Sequence, residues 1–214
     1  MGPVDPASVG GSRYMVSLID DKSGFAEVGV LGRKSEATGW VEVTLRRWQR
    51  QTGQWVKRFR SDQGAEFRSS AFRSFLQHQG IAQEFSAVYT PQQNGVAEQL
   101  NRTLTEKAKA MLADSGLGSR FWAEAAHTAA FLRNRTLAAG QTATPFEQFF
   151  GRKPRVGYLR VLCSPAYIHV PLVRRKKLDD NCVEGIMVGY EPGIKGYKFW
   201  EPSQQRSWSA GTCG

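Results

Sequence analysis

The sequence predicts an α/β protein: a mixed sheet flanked by helices, followed by a small all-β unit. Three observations carry this reading. An apolar run, a turn and a second apolar run open the chain, then helical and strand periodicities alternate up to about residue 135. Past Gly151, four short strand patterns follow one another with no helical period. The 214 residues, 41% of them hydrophobic, suffice for one full domain and a smaller unit and are too apolar for a disordered chain.

Gly2 to Gly11 is rich in Gly and Pro and reads as a loop. Tyr14–Ile19 is almost continuously apolar, as a strand covered on both faces must be, and Phe25–Leu31 returns as its hairpin partner. Ala37, Val41, Leu45 and Trp48 recur at helical spacing until Thr52-Gly53. Trp55–Arg60 is a third strand, Ser70 caps a short helix carrying Phe72, Phe75 and Leu76, and Ile81–Phe85 is a fourth strand. The polar Thr90–Gly95 stretch reads as a flexible loop before a long helix over 96–113. Gly116 and Gly118 break that helix, and Ser119 caps the next, lined by Trp122, Ala125, Ala129 and Leu132. The later strand patterns are Tyr158–Cys163, Ala166–Val170, Val183–Gly189 and Tyr197–Trp200, with a frayed tail from Ser203. The organisation expected is thus a first domain over 1–135, a connector over 136–156, a small β-barrel over 157–207 and a tail over 208–214.

No uncharged apolar run approaches the ~20 residues of a membrane span, and no signal peptide follows Met1. Three Cys without a CxxC pair argue against a disulfide framework, and the scattered His and Cys exclude a locally spaced zinc finger. The formal charge is +10, and it is grouped. Arg46, Arg47, Arg50, Lys57, Arg58 and Arg60 form one cluster, 133–160 holds a second, and 174–177 a third. Such grouping suits a polyanion, since each cation set against a phosphate releases counterions; it also suits plain solvated faces.

Two carboxylates stand where chemistry is placed in α/β sheets. Asp62 ends the third strand in a turn, and Glu98 opens the long helix. Glu98 is ~200° around the helix from Val96, off the packing stripe, with Arg102 one turn on and Lys109 further along. The same spacing also makes an ordinary i, i+4 Glu98–Arg102 surface pair.

The strings Arg60-Ser-Asp-Gln-Gly-Ala-Glu-Phe67, Tyr89-Thr-Pro-Gln-Gln-Asn-Gly-Val-Ala-Glu98 and Asn101-Arg-Thr103 closely resemble integrases of copia-type long-terminal-repeat retrotransposons. Thirty-five residues separate Asp62 from Glu98, the spacing of the second and third acids of that family's triad. Tyr14–Asp21 and Phe121–Ala125 resemble family segments too, as do Thr144–Glu147 and Gly151–Pro154. Val188-Gly-Tyr190 and Lys195-Gly-Tyr197 resemble the Src-homology-three-like barrel that follows the integrase.

The resemblance implies a ribonuclease-H-like core whose three acids hold two Mg²⁺ or Mn²⁺ ions for polynucleotidyl transfer during DNA integration. It makes Asp62 and Glu98 catalytic metal ligands, Gln93, Asn94 and Gly95 a mobile loop beside the scissile bond, and Arg102 and Lys109 phosphate contacts. DNA is the implied partner, a homo-oligomer the implied assembly, and the nucleus the implied location, with the cytoplasm otherwise. Counting back from Gly2-Pro3 puts the family's first acid before Met1, and with it the central strand of the sheet. With two acids of three, the expectation is a core that is inactive by itself, and enzyme status stays open. The alternative is a non-catalytic nucleic-acid-binding remnant or a domesticated transposon fragment.

Overall fold

The computed structural model describes residues 1–86, 91–170, 175, 180–191 and 196–211, with the backbone alone for 91–94 and 210–211. Strands β1 (Tyr14–Ile19) and β2 (Ala26–Leu31) lead into helix α1 (Ala37–Thr52). Strand β3 (Arg58–Ser61), helix α2 (Ser70–His78) and strand β4 (Ala82–Phe85) follow, then helices α3 (Pro91–Ser115), α4 (Trp122–Arg133) and α5 (Pro145–Phe150). Strands β5 (Pro165–His169), β6 (Cys182–Tyr190), β7 (Gly196–Glu201) and β8 (Arg206–Gly211) complete the chain.

β1 and β2 form the expected antiparallel hairpin, from Tyr14 opposite Leu31 to Ile19 opposite Ala26. Asp20 closes its turn, the carboxylate accepting the Ser23 N–H at 2.8 Å and the Ser23 hydroxyl at 2.6 Å. β1 is apolar at every position but Ser17 because it feeds two cores. Met15 and Ile19 pack with Leu100, Leu104, Ala126 and Ala129 of α3 and α4. Val16 and Leu18 pack with Val41, Leu45, Phe59 and Phe72 on the other side. The sheet therefore lies between two helical layers, the arrangement that requires buried strands to be apolar on both faces.

Several element boundaries differ from the sequence expectation. β3 starts at Arg58, and Trp55 to Lys57 lie outside it. Ser69, not Ser70, caps α2: its hydroxyl accepts the Phe72 N–H at 3.3 Å. Ser119 sits inside a 3₁₀ turn, Ser119–Phe121, whose N-cap is Gly118, so it caps no α-helix. α3 begins at Pro91, five residues before the expected start, because Pro at a first helical position has its φ already fixed and loses no needed donor.

β3 pairs with β4 in parallel, Arg58 opposite Ala82 through Ser61 opposite Phe85. The first domain's mixed sheet consists of two separate two-stranded halves, β1–β2 and β3–β4. The helices are what join them, since Val16, Leu18 and Phe59 share one core.

The all-β unit is an antiparallel meander in the order β5-β6-β7-β8, with a bulge between Met187 and Gly189. Among the described residues it is an open sheet, with β5 and β8 at its edges. Residues 158–163, expected as a strand, form turns, while the expected tail supplies β8, paired from Gly196 opposite Gly211 to Glu201 opposite Arg206. Buried Glu201 holds that hairpin, accepting from Arg206 Nε and Trp208 Nε1, each at 2.7 Å. The 136–156 connector carries a helix of its own. Thr144 caps α5, and Phe146, Phe149 and Phe150 pack around Phe25 and Trp48 of the first domain.

Candidate functional site

Asp62 follows β3 in a tight turn, exposed, with Oδ1 accepting the Gly64 N–H at 3.1 Å. A Cβ on Gly64 would stand 2.8 Å from Glu66 Oε1 and 3.1 Å from Asp62 Oδ1, so the two carboxylates flank the same point. Glu66 pairs with Lys34 at 3.3 Å, from the 3₁₀ turn before α1. The half-buried Met1 amino group completes this charge cluster. Burial first and Lys34 second hold its pKa below the ordinary value, while Asp62 and Glu66 pull it up. Lys34, Glu66 and Met1 were not expected at the site. Their only link to Asp62 is three-dimensional, except that Glu66 belongs to the same sequence motif.

Glu98 is the eighth residue of α3 and is exposed, as the helical angle predicts. The packing stripe below it is Leu100, Leu104 and Ala108, all buried, whereas Val96 is 49% exposed and does not belong to the stripe. Arg102 pairs with Glu106 at 2.9 Å, one turn further along the helix. Lys109 is exposed two turns further on. The expectation of a mobile loop at Gln93, Asn94 and Gly95 is corrected: all three have helical backbone within α3. The polar Gln-Gln-Asn-Gly string read as a loop, and the proline before it was the overlooked helix-start signal.

Arg60, two residues before Asp62, and Ala97, next to Glu98, line one cavity of about 790 Å³. Neither acid lines it. Carboxylate oxygens are the right donors for a hard divalent cation. Yet among the described residues no three His, Cys, Asp or Glu side chains converge on a point, and Asp62 is partly engaged by its own turn. These residues do not fit a complete two-metal centre.

The basic clusters are also changed by folding. Arg47 pairs with Glu27, Arg46 with Glu42 at 3.6 Å, and both Arg58 and Arg60 with Glu84 at 3.3 and 3.2 Å. In the second cluster, Arg133 donates to the Gly24 carbonyl at 2.5 Å, and Arg135 lies over the Phe131 ring at 3.5 Å. Burial holds both guanidinium groups below their usual pKa. The third cluster lies outside the described residues except for Arg175. Among the described helices none is long and apolar enough to cross a membrane.

Comparison with known proteins agrees with this architecture. The integrase core domain matches residues 4–91, and the retroviral polymerase SH3-like domain matches residues 164–209. The chain is 35% identical over 206 residues to a retrovirus-related Pol polyprotein from transposon TNT 1-94 of Nicotiana tabacum, covering 96% of this chain and 16% of that protein. It is 28% identical over 183 residues to the Pol polyprotein from transposon RE1 of Arabidopsis thaliana, covering 83% and 12% respectively. The chain thus spans under a fifth of these curated relatives. In fold it is similar to a chain of the simian T-cell lymphotropic virus intasome, solved by cryo-electron microscopy in complex with PP2A regulatory subunit B56 gamma. The TM-score is 0.53 at 14% identity, over 92% of this chain and 69% of that one.

Proposed function

This chain belongs to the retrovirus-related transposon Pol polyproteins, as an integrase core followed by a retroviral polymerase SH3-like domain, and from that we propose that it is a DNA-binding core of copia type. Its ancestral chemistry is divalent-metal-dependent polynucleotidyl transfer, acting on chromosomal DNA in the nucleus. The observation that supports this reading is that Arg60, two residues before Asp62, and Ala97, next to Glu98 on α3, line the same cavity. Acids in those positions are suited to holding a metal against a phosphodiester while nearby cations hold the flanking phosphates.

Within this proposal, Arg102 and Lys109 bind backbone phosphates from the exposed face of α3. Asp62 and Glu98 contribute two oxygen-donor groups, and a third group is needed to fix the ions. The failure of three such groups to converge among the described residues favours binding without transfer by this chain alone.

The test is a pair of assays on the whole chain. Fluorescence anisotropy with duplex DNA should give affinity that falls linearly with log salt, and Arg102→Ala or Lys109→Ala should each reduce the slope by about one. Asp62→Asn should leave that binding intact, and joining of donor ends in Mn²⁺ should be absent in both proteins. Joining that the wild type performs and Asp62→Asn loses would instead establish a complete enzyme. Binding indifferent to salt would remove the DNA reading.

A further inference from the structure

The His and Cys residues are too scattered for local metal-ligand spacing, but folding sets one of each face to face. His169 of β5 stands directly opposite Cys182 of β6. One step along the ladder, the Val170 N–H donates to the Asn181 carbonyl at 3.0 Å. Hydrogen-bonded and non-hydrogen-bonded pairs alternate along an antiparallel ladder, so His169 and Cys182 form a non-hydrogen-bonded pair. In such a pair the Cα atoms are only about 4.5 Å apart, and the two side chains leave the sheet close together. The next pair of this kind, Tyr167 and Glu184, projects from the same face. All four side chains are exposed, whereas Ile168, on the opposite face, is buried. Cys182 is a free cysteine.

We propose that His169 and Cys182 form a two-residue clamp for a borderline-soft divalent metal ion, with Zn²⁺ as the ion that fits. A thiolate and an imidazole nitrogen are zinc ligands, and they discriminate against Mg²⁺ and Ca²⁺, which take oxygen. Bonds of about 2.3 Å to sulfur and about 2.0 Å to nitrogen set the two ligand atoms roughly 3.5 Å apart on a tetrahedral ion. Side chains rising from one non-hydrogen-bonded pair are spaced for that span. Glu184, on the same face, adds a negative charge that favours a cation. Among the described residues no third His, Cys, Asp or Glu converges with the pair, so water holds the remaining positions. The clamp has a structural use. β5 is an edge strand, and His169 is its last residue, whereas Cys182 is the first of β6. A shared ion cross-links that end of the ladder. The chain between the two ligands carries Arg174, Arg175, Lys176 and Lys177, so the ion also ties together the ends of the third basic cluster's segment. This inference is independent of DNA binding.

The probe is Co²⁺, which takes the geometry of zinc and reports a thiolate ligand through a near-ultraviolet charge-transfer band. Added to the whole chain, reduced and metal-free, Co²⁺ should raise that band to saturation at equimolar ion, and Zn²⁺ should then bleach it. Cys182→Ser should abolish the band, and His169→Ala should weaken binding by about tenfold or more. Both side chains are exposed, so neither variant removes a core contact, and unchanged far-UV circular dichroism verifies the fold. Cys163→Ser combined with Cys213→Ser should keep the band, which assigns it to Cys182. Absence of the band would overturn the clamp, as would a band that survives Cys182→Ser or an affinity that His169→Ala leaves unchanged. Saturation at half an ion per chain would mean that two copies share the ion, and would overturn completion of the site by water.

Discussion

The two β regions of this molecule use strands of similar length and finish differently. In the second, each strand pairs with its neighbour in sequence, β5 to β6 to β7 to β8, and every inner edge is satisfied. In the first, β1–β2 closes by a tight turn and β3–β4 by the α2 crossover, and the ladder that would join the pairs is unmade. Isolated two-stranded sheets are marginal in water, so this region depends on its helices. Sequence-local pairing completes itself, whereas a sheet assembled from distant segments is only as complete as the segments that reach it.

The most severe way to break the contrast is through the shared helix. α4 buries Ala126 and Ala129 toward Leu104 and the β1–β2 half, and Ala125 toward Met187 and Tyr190 of the second sheet. Leu104 is wholly buried, so Leu104→Ala should cost about 3–5 kcal/mol. Because α4 serves both cores, the second sheet should unfold in the same urea transition, read by near-UV circular dichroism and by far-UV signal together. Two separated transitions would show that the meander stands alone.

The junction between the regions offers a smaller lever. His127 borders a cavity of about 50 Å³ with Glu124 and Lys198, and its Nε2 has no hydrogen-bond partner. Burial first, then the Lys198 charge, lowers its pKa to about 4. Unfolding restores the usual value near 6.5, so the unfolded chain binds the proton more tightly. Stability is then full above pH 6.5 and falls as pH drops toward about 4, by roughly 2–3 kcal/mol. Burial raises the Glu124 pKa, which acts in the opposite sense, lowering stability as that carboxyl ionises. His127→Leu should flatten the acid limb in urea titrations run at pH 4.5 and 7, and an unchanged limb would assign it to other groups.

The gentlest probe compares one glycine from each sheet. A Cβ on Gly29 of β2 would meet the Trp40 indole at 2.4 Å, whereas on Gly185 of β6 it would meet the Ile168 Cδ1 tip at 2.5 Å and the Trp200 carbonyl at 3.0 Å. Gly29→Ala must displace a whole ring and should cost about 1–3 kcal/mol. Gly185→Ala should cost less, since a methyl tip swings aside more easily. Equal losses in thermal melts would mean that the first sheet yields as readily as the second.

How far these features were legible depended on whether their cause was local. The β1–β2 hairpin and α1 were written in apolar runs and in Gly53, whose φ of 69° ends the helix. Asp62 stands just after β3 as expected, whereas Glu98, expected to open the long helix, is the eighth residue of α3 because the helix starts at Pro91. The start of α3 is not legible because Thr90–Gly95 has the polar composition of a loop, although the helix begins at Pro91. β8 was missed because Arg206–Gly211 has no strong alternation; it is a strand through its pairing with β7 and through Glu201. The Lys34–Glu66–Met1 surroundings of Asp62 were invisible, since no pattern in sequence brings those segments together. Some of the clustered cations meet acids on other elements, Arg47 with Glu27 and Arg58 and Arg60 with Glu84, pairings that no local pattern announces.

α5 carries a mechanical consequence. Its three phenylalanine rings are seated against Phe25 and Trp48, while beyond it the chain re-enters structure at the turns under Tyr190, where Tyr190 Oη donates to the Arg160 carbonyl at 2.9 Å. The tether between the halves of the protein is thus anchored at both ends and has little slack. Swinging one half against the other would first have to peel aromatic rings off their seat, so the pair should tumble as one body.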